Sequence, residues 1–163
     1  MDHPLIKVVG ISGSGKSTLV SVLRQAGYNA RPVSQEHSHI ADLWQRFDRL
    51  RFLIYLDADL ASQMRRRPDV TWSKADWLTE HERLAHARAH ADLHINTSAM
   101  RAEQVLAVAL AFLTHHEVAH APTALPPVTA TGSAQANQEP VAAETDSSAP
   151  RRSKKRSSPL ARP

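Results

Sequence analysis

The sequence predicts a three-layer α/β/α domain built on a small, four-stranded parallel sheet. Short apolar runs alternate with helical patterns along the first two thirds of the chain, the signature of strand–helix–strand units. A glycine-rich loop joins the first apolar run to the first helical pattern. After Val118 the composition changes to Ala, Pro, Thr, Ser and Gln, which limits the folded part to about the first 118 residues.

Each element follows from local pattern. Leu5-Ile-Lys-Val-Val9 reads as a buried strand. Lys16 to Ala26 reads as a helix closed by Gly27, a residue suited to the left-handed position after a helix end. A second strand is expected near Asn29 to Gln35. From Ile40 to Leu50 the spacing of Ile40, Leu43, Trp44 and Phe47 predicts an amphipathic helix. Phe52-Leu-Ile-Tyr-Leu56, the most apolar run, predicts a central strand that ends at Asp57. Asp59 is placed to cap a short helix that stops before Pro68, because proline disfavours helical geometry in its predecessor. Ser73-Lys-Ala-Asp76 is a capping box opening a long helix to about His90. Asp92-Leu-His-Ile-Asn96 is the expected last strand, and Ser98 the expected cap of a final helix to about Leu113. There is no internal repeat.

The 163 residues, 42% of them hydrophobic, suit one packed domain, assigned to residues 1–118. The chain has no cysteine, which excludes disulfides, thiolate metal sites and a cysteine nucleophile. The net charge of +4 divides unevenly: residues 1–138 hold 14 Lys/Arg against 13 Asp/Glu, and 139–163 hold six against three. The excess belongs to the tail, where Arg151-Arg-Ser-Lys-Lys-Arg156 can touch polyanions through counterion release. Residues 119–163 carry seven of the ten prolines and no Phe, Trp or Tyr, so disorder is expected there. With no leader ahead of the glycine-rich loop and no run of about 18 apolar residues, the expected location is the cytoplasm, away from any membrane.

The chemistry concentrates in Gly10-Ile-Ser-Gly-Ser-Gly-Lys-Ser17, which matches the P-loop pattern between an apolar strand and a helix. Glycines at 10, 13 and 15 let the backbone turn its N–H groups around phosphate oxygens, and the helix N-terminus adds partial positive charge. Gly10, Ser12, Gly13, Ser14, Gly15, Lys16, Ser17 and Thr18 are therefore the expected phosphate-binding residues. Lys16 should reach the β- and γ-phosphates of a nucleoside triphosphate, and the Ser17 hydroxyl should ligate Mg²⁺. The spacing G-x-x-G-x-G disfavours a dinucleotide fingerprint. No guanine-specific NKxD is present, which tilts the expected nucleotide toward ATP.

Gly10 to Thr18, the strand Leu53-Ile-Tyr-Leu-Asp57 with a helix ending Arg65-Arg-Arg67, and Ala91-Asp-Leu-His-Ile-Asn-Thr97 before a last helix resemble the small P-loop kinases, among them the shikimate, gluconate and nucleoside monophosphate kinases. The resemblance covers residues 4 to 113. It implies a P-loop NTPase fold, transfer of the γ-phosphoryl group of ATP to a small-molecule acceptor, and a lid role for Arg65, Arg66 and Arg67 over the phosphates. The plain alternative for these three is a solvated helix end. An NTP-binding or hydrolysing regulatory module without an acceptor is the rival function.

The chain departs from those kinases between its second and third strands, where only 16 residues, Glu36 to Arg51, stand. Either a strand is lost, or the second strand lies beside the first in the order 2-1-3-4. In the latter case Glu36 would end a strand beside the P-loop, where ligands of such sheets bind. It could then order a Mg²⁺-bound water or act as a base on an acceptor hydroxyl. Asp57 is the competing acid for the metal, with capping as its bland reading. His37 and His39 follow Glu36 on the expected rim. Trp44 reads as core, and Arg46 as either an anion contact or a solvated charge. His86 and His90, with His81 and His94 nearby, lack a carboxylate or cysteine to complete a metal pattern.

Overall fold

In the computed structural model, residues 2–129 are described. The chain is an α/β protein whose four strands form one all-parallel sheet in the order β2-β1-β3-β4. The strands are β1 (Ile6–Gly10), β2 (Ala30–Pro32), β3 (Phe52–Asp57) and β4 (Leu93–Asn96). The helices are α1 (Lys16–Gln25), α2 (Leu60–Arg66), α3 (Lys74–His90) and α4 (Ala102–His115).

Side chains alternate across the two faces of the sheet with a period of two, and helices cover both. Ile6 and Val8 of β1, with Phe52, Ile54 and Leu56 of β3, pack against Leu19 and Leu23 of α1 and Val105, Ala109 and Leu113 of α4. Val9, Leu53 and Tyr55 face the other way, onto Trp44 and onto Leu84 and Ala87 of α3. β1 is buried along its whole length, which is why Lys7 is unusual. Its ammonium donates to the Arg46 carbonyl at 2.9 Å, and burial holds its pKa below the ordinary lysine value, opposed by the nearby Asp48 carboxylate.

Several expected ends are confirmed. Asp59 caps α2 by accepting from the Ser62 N–H at 2.7 Å, Ser73 and Asp76 form the capping box of α3, and Gly27 takes φ 88° after α1. Four expectations are corrected. β2 is only three residues long; one further bond, from the Val33 N–H to the Val8 carbonyl at 2.9 Å, follows it, and Gln35 already belongs to the 3₁₀ turn Gln35–His37. The final helix begins at Ala102 behind Arg101; the Ser98 hydroxyl is already the acceptor of the Asp59 N–H at 2.9 Å.

The third correction is larger: no α-helix forms over 40–50. Only a single 3₁₀ turn, Leu43–Gln45, is present, and Phe47 points outward, 82% exposed, at φ 72°. Tertiary bonds capture the backbone groups that a helix would pair internally. Gln35, fully buried, donates from Nε2 to the Ile40 carbonyl and accepts at Oε1 from the Trp44 N–H. Lys7 takes the Arg46 carbonyl. Trp44 is buried as expected, its indole N–H at 3.0 Å from His86 Nδ1.

The chain also stays in contact with the fold past Val118, which corrects the expected disorder for residues 119–126. The Ala121 N–H donates to the Gly27 carbonyl at 2.9 Å, and the Leu125 N–H to the Arg24 carbonyl at 2.8 Å. Arg24 Nε reaches the Pro126 carbonyl, and the His120 ring packs 4.7 Å from Tyr28. Carbonyls left without intrahelical partners at the end of α1 thus recruit a segment of poor apolar content. The expectation for residues 130–163, with the basic cluster, lies outside the described residues. A chain ending at 118 is expected to be about 2 kcal/mol less stable than one ending at 129, a loss of about 8 °C in melting temperature. Differential scanning calorimetry of the two chains checks this.

Candidate functional site

The glycine-rich loop leaves β1 at the C-terminal edge of the sheet and runs into α1. Gly10 lies so close to β3 that a Cβ there would stand 2.3 Å from the Leu56 carbonyl oxygen. Gly15, the residue before α1, takes φ 98° and provides no side-chain cap. The first-turn N–H groups of α1 therefore stay open for a ligand.

What shapes the loop is the fate of its carbonyls. Lys16 Nζ donates to Gly10 O at 2.7 Å and Ile11 O at 3.2 Å. Gln63 Nε2 donates to Ser12 O at 3.0 Å, Arg66 Nη1 to Gly13 O at 3.0 Å, and the Thr97 hydroxyl to Ser14 O at 2.9 Å. Five successive carbonyls are thus held by side chains from α1, α2 and the end of β4. With the carbonyls occupied, the N–H groups of Gly13, Gly15, Lys16, Ser17 and Thr18 make no hydrogen bond among the described residues. Such a run of free N–H groups at a helix start is an anion-binding arrangement.

Lys16 also meets Glu36 at 2.5 Å, with side chains only 12% and 4% exposed. Glu36 lies in the 3₁₀ turn Gln35–His37, just past the C-terminal end of β2. The strand order 2-1-3-4 puts that end next to the loop. Its second carboxylate oxygen, Oε2, is buried without a hydrogen-bond partner. His37 Nε2 stands 3.7 Å from Oε1. The loop, Glu36 and His37 line a cleft of about 580 Å³, which the apolar side chains of Met100, Ala102 and Val105 also line.

The structure separates the sequence candidates. Ser14, Gly15, Lys16, Ser17, Thr18 and Glu36 line the cleft together. Ser12 turns its hydroxyl to Glu80 at 2.6 Å, behind the loop. Arg66 lines the cleft as well, bonded to Gly13 O and Thr97 Oγ1. Arg65 donates to Ser62 Oγ and does not line the cleft. Arg67 does line it, its stem over Gly13 and its guanidinium on Asp69. Asp57 is turned away: its Oδ1 accepts from the Ala58 N–H and lies 3.1 Å from His81 Nε2. His39 sits beside Arg83, and Arg46 pairs with Asp42, half exposed. Among the described residues no three His, Cys, Asp or Glu side chains gather to hold a metal by themselves.

Glu80, Gln63, Gln35 and Thr97 hold the site and were not singled out from sequence. Glu80 carried a signal: it shares the buried face of α3 with Leu84 and Ala87, four and seven residues on, where a charged residue needs partners. No protein-family model matches the chain, and no curated protein matches it.

Thr97→Val keeps shape but strips the bond to Ser14 O. A stability loss of about 1–2 kcal/mol is expected for the carbonyl left unpaired, read from urea denaturation.

Proposed function

We propose that this chain is a P-loop NTPase that binds ATP with Mg²⁺ and transfers the γ-phosphoryl group to a small-molecule acceptor. The observation that carries the reading is the loop itself, with five carbonyls held by side chains and free N–H groups at the start of α1, next to Lys16. The apolar wall of Met100, Ala102 and Val105 suits a nucleobase, and the choice of adenine rests on the absence of a guanine motif.

In this reading the loop N–H groups bind phosphate oxygens, and Lys16 exchanges its own carbonyl partners for the β- and γ-phosphates. The partnerless Oε2 of Glu36, in the same cleft as Ser17, fits a divalent ion. Ser17 and Glu36 would hold Mg²⁺, which supplies charge neutralisation at the phosphates when bound. Asp57, engaged by Ala58 and His81, does not support a metal role. The acceptor hydroxyl would pass its proton to the Glu36 carboxylate as its oxygen bonds to Pγ and the bond to the β-phosphate oxygen breaks, with ADP leaving. Arg66 keeps the loop in shape through Gly13 O, and Arg66 and Arg67 both line the cleft where the phosphates would lie.

One observation favours the rival, a nucleotide-binding regulatory module: only two 3₁₀ turns stand between β2 and β3, where the resembling kinases carry a further strand and helix. Assays with candidate acceptors, beside basal ATP hydrolysis, separate the two readings.

Lys16→Ala is expected to abolish ATP binding in titration calorimetry. It should also cost about 3 kcal/mol of stability, because Glu36 is left buried without its cation. Adding Glu36→Gln should restore most of that stability and none of the binding. Unchanged affinity in folded Lys16→Ala would remove the reading.

Glu36→Gln alone should lower turnover by about 10²-fold or more, with ATP affinity changed much less. Asp57→Asn should be milder. Steady-state rates decide between the two acids, and a dead Asp57→Asn beside a near-normal Glu36→Gln would transfer the role to β3.

A further inference from the structure

We infer that Glu80 is a positioning residue for the phosphate loop, acting from outside the cleft through Ser12. Its carboxylate is 5% exposed, and among the described residues it takes part in no ion pair. A charge so placed is costly unless hydrogen bonds replace water. Here all the replacements belong to one device. Oε1 accepts from the Ser12 hydroxyl at 2.6 Å, and Oε2 accepts from the Ser12 N–H at 3.0 Å and from Gln63 Nε2 at 3.1 Å. Gln63 Nε2 also donates to Ser12 O at 3.0 Å. Every polar atom of Ser12 is therefore held by a side chain of α2 or α3.

Ser12 is where such a hold matters. It directly precedes Gly13 in a loop with glycines at 10, 13 and 15, and glycine gives up more backbone freedom on ordering than any other residue. An unpinned loop would lose that freedom when it closes on phosphate; a pinned one has lost it beforehand, which strengthens binding without any added contact. Glu80 also removes the Ser12 N–H from the set offered to the ligand, so the cradle begins at Gly13.

The geometry sets which replacements work. A glutamine reproduces all three bonds: its oxygen accepts where Oε2 does, and its amide donates to the Ser12 oxygen. Aspartate is one methylene too short to reach, and alanine has no acceptor. The inference uses the triphosphate reading for one of its two readouts only.

Hydrogen exchange of the free full-length chain is measured on peptides spanning residues 10–18 for the wild type and for Glu80→Gln, Glu80→Asp and Glu80→Ala. ATP–Mg²⁺ affinity per folded molecule is measured in parallel by calorimetry. Glu80→Asp and Glu80→Ala are expected to speed exchange of the hydrogen-bonded loop amides, Ser14 above all, whose N–H donates to the Ile11 carbonyl and does not touch Glu80, at least 10-fold and to weaken affinity at least 10-fold, with β3 and α4 peptides unchanged. Glu80→Gln should stay within about 3-fold of wild type in both. Should Glu80→Ala fail to fold, Gln63→Met gives the same readout, and an unchanged loop there counts against the inference. Wild-type loop exchange in Glu80→Asp, or loss of protection spread equally over β3 and α4, overturns it. Faster loop exchange beside a wild type that binds no ATP leaves the pin standing and removes the triphosphate reading instead.

Discussion

The structure depends on where the carbonyls of residues 10 to 14 point. A peptide unit carries its N–H opposite its C=O, so a loop that offers N–H groups to an anion must find donors for the carbonyls on its other side. The chain meets this with Lys16, Gln63, Arg66 and Thr97. Three of the four come from elements distant in sequence, and the packing of α2 and β4 can be understood as serving that need. α2 is short, seven residues, yet it contributes both Gln63 and Arg66. Thr97, 1% exposed, receives Arg66 and passes a bond on to Ser14, so the loop, α2 and β4 are tied at one point.

The strand order supplies the second half of the site. With β2 beside β1, the chain leaving Pro32 turns directly over the loop, and Glu36 comes to Lys16 without any further strand. The connection that follows is held by side chains more than by its own backbone: Gln35 bridges Ile40, Trp44 and the Arg83 carbonyl of α3. That economy makes a short chain sufficient to close the cleft on the β2 side.

Much of this was legible in the sequence and some was not, for physical reasons. The glycine-rich loop, the apolar strands and the caps at Asp59 and Ser73 are local signals, read from neighbours in the chain, and they held. Ile40 to Leu50 misled because its apolar spacing is helical while its backbone partners, Gln35 and Lys7, lie outside the window. Glu36 was reachable as one of two topological alternatives. Glu80 could be suspected only by noticing an acidic residue on the apolar face of α3. The arginines show the limit: three in a row are identical to a pattern reader, yet Arg65 stays off the cleft, while Arg66, bonded to Gly13 O, and Arg67, paired with Asp69, both line it. Helical rotation of about 100° per residue separates them.

The hold of residues 121–126 on the end of α1 has a practical side. Arg24 and Gly27, where that segment attaches, lie at the opposite end of α1 from Lys16. At a rise of about 1.5 Å per residue the separation along the helix axis is about 12 Å from Lys16 to Arg24. A fluorophore, affinity handle or surface tether joined at residue 127 therefore starts from the face remote from the cleft, which leaves the mouth of the site free for a ligand to enter while the molecule is observed or immobilised.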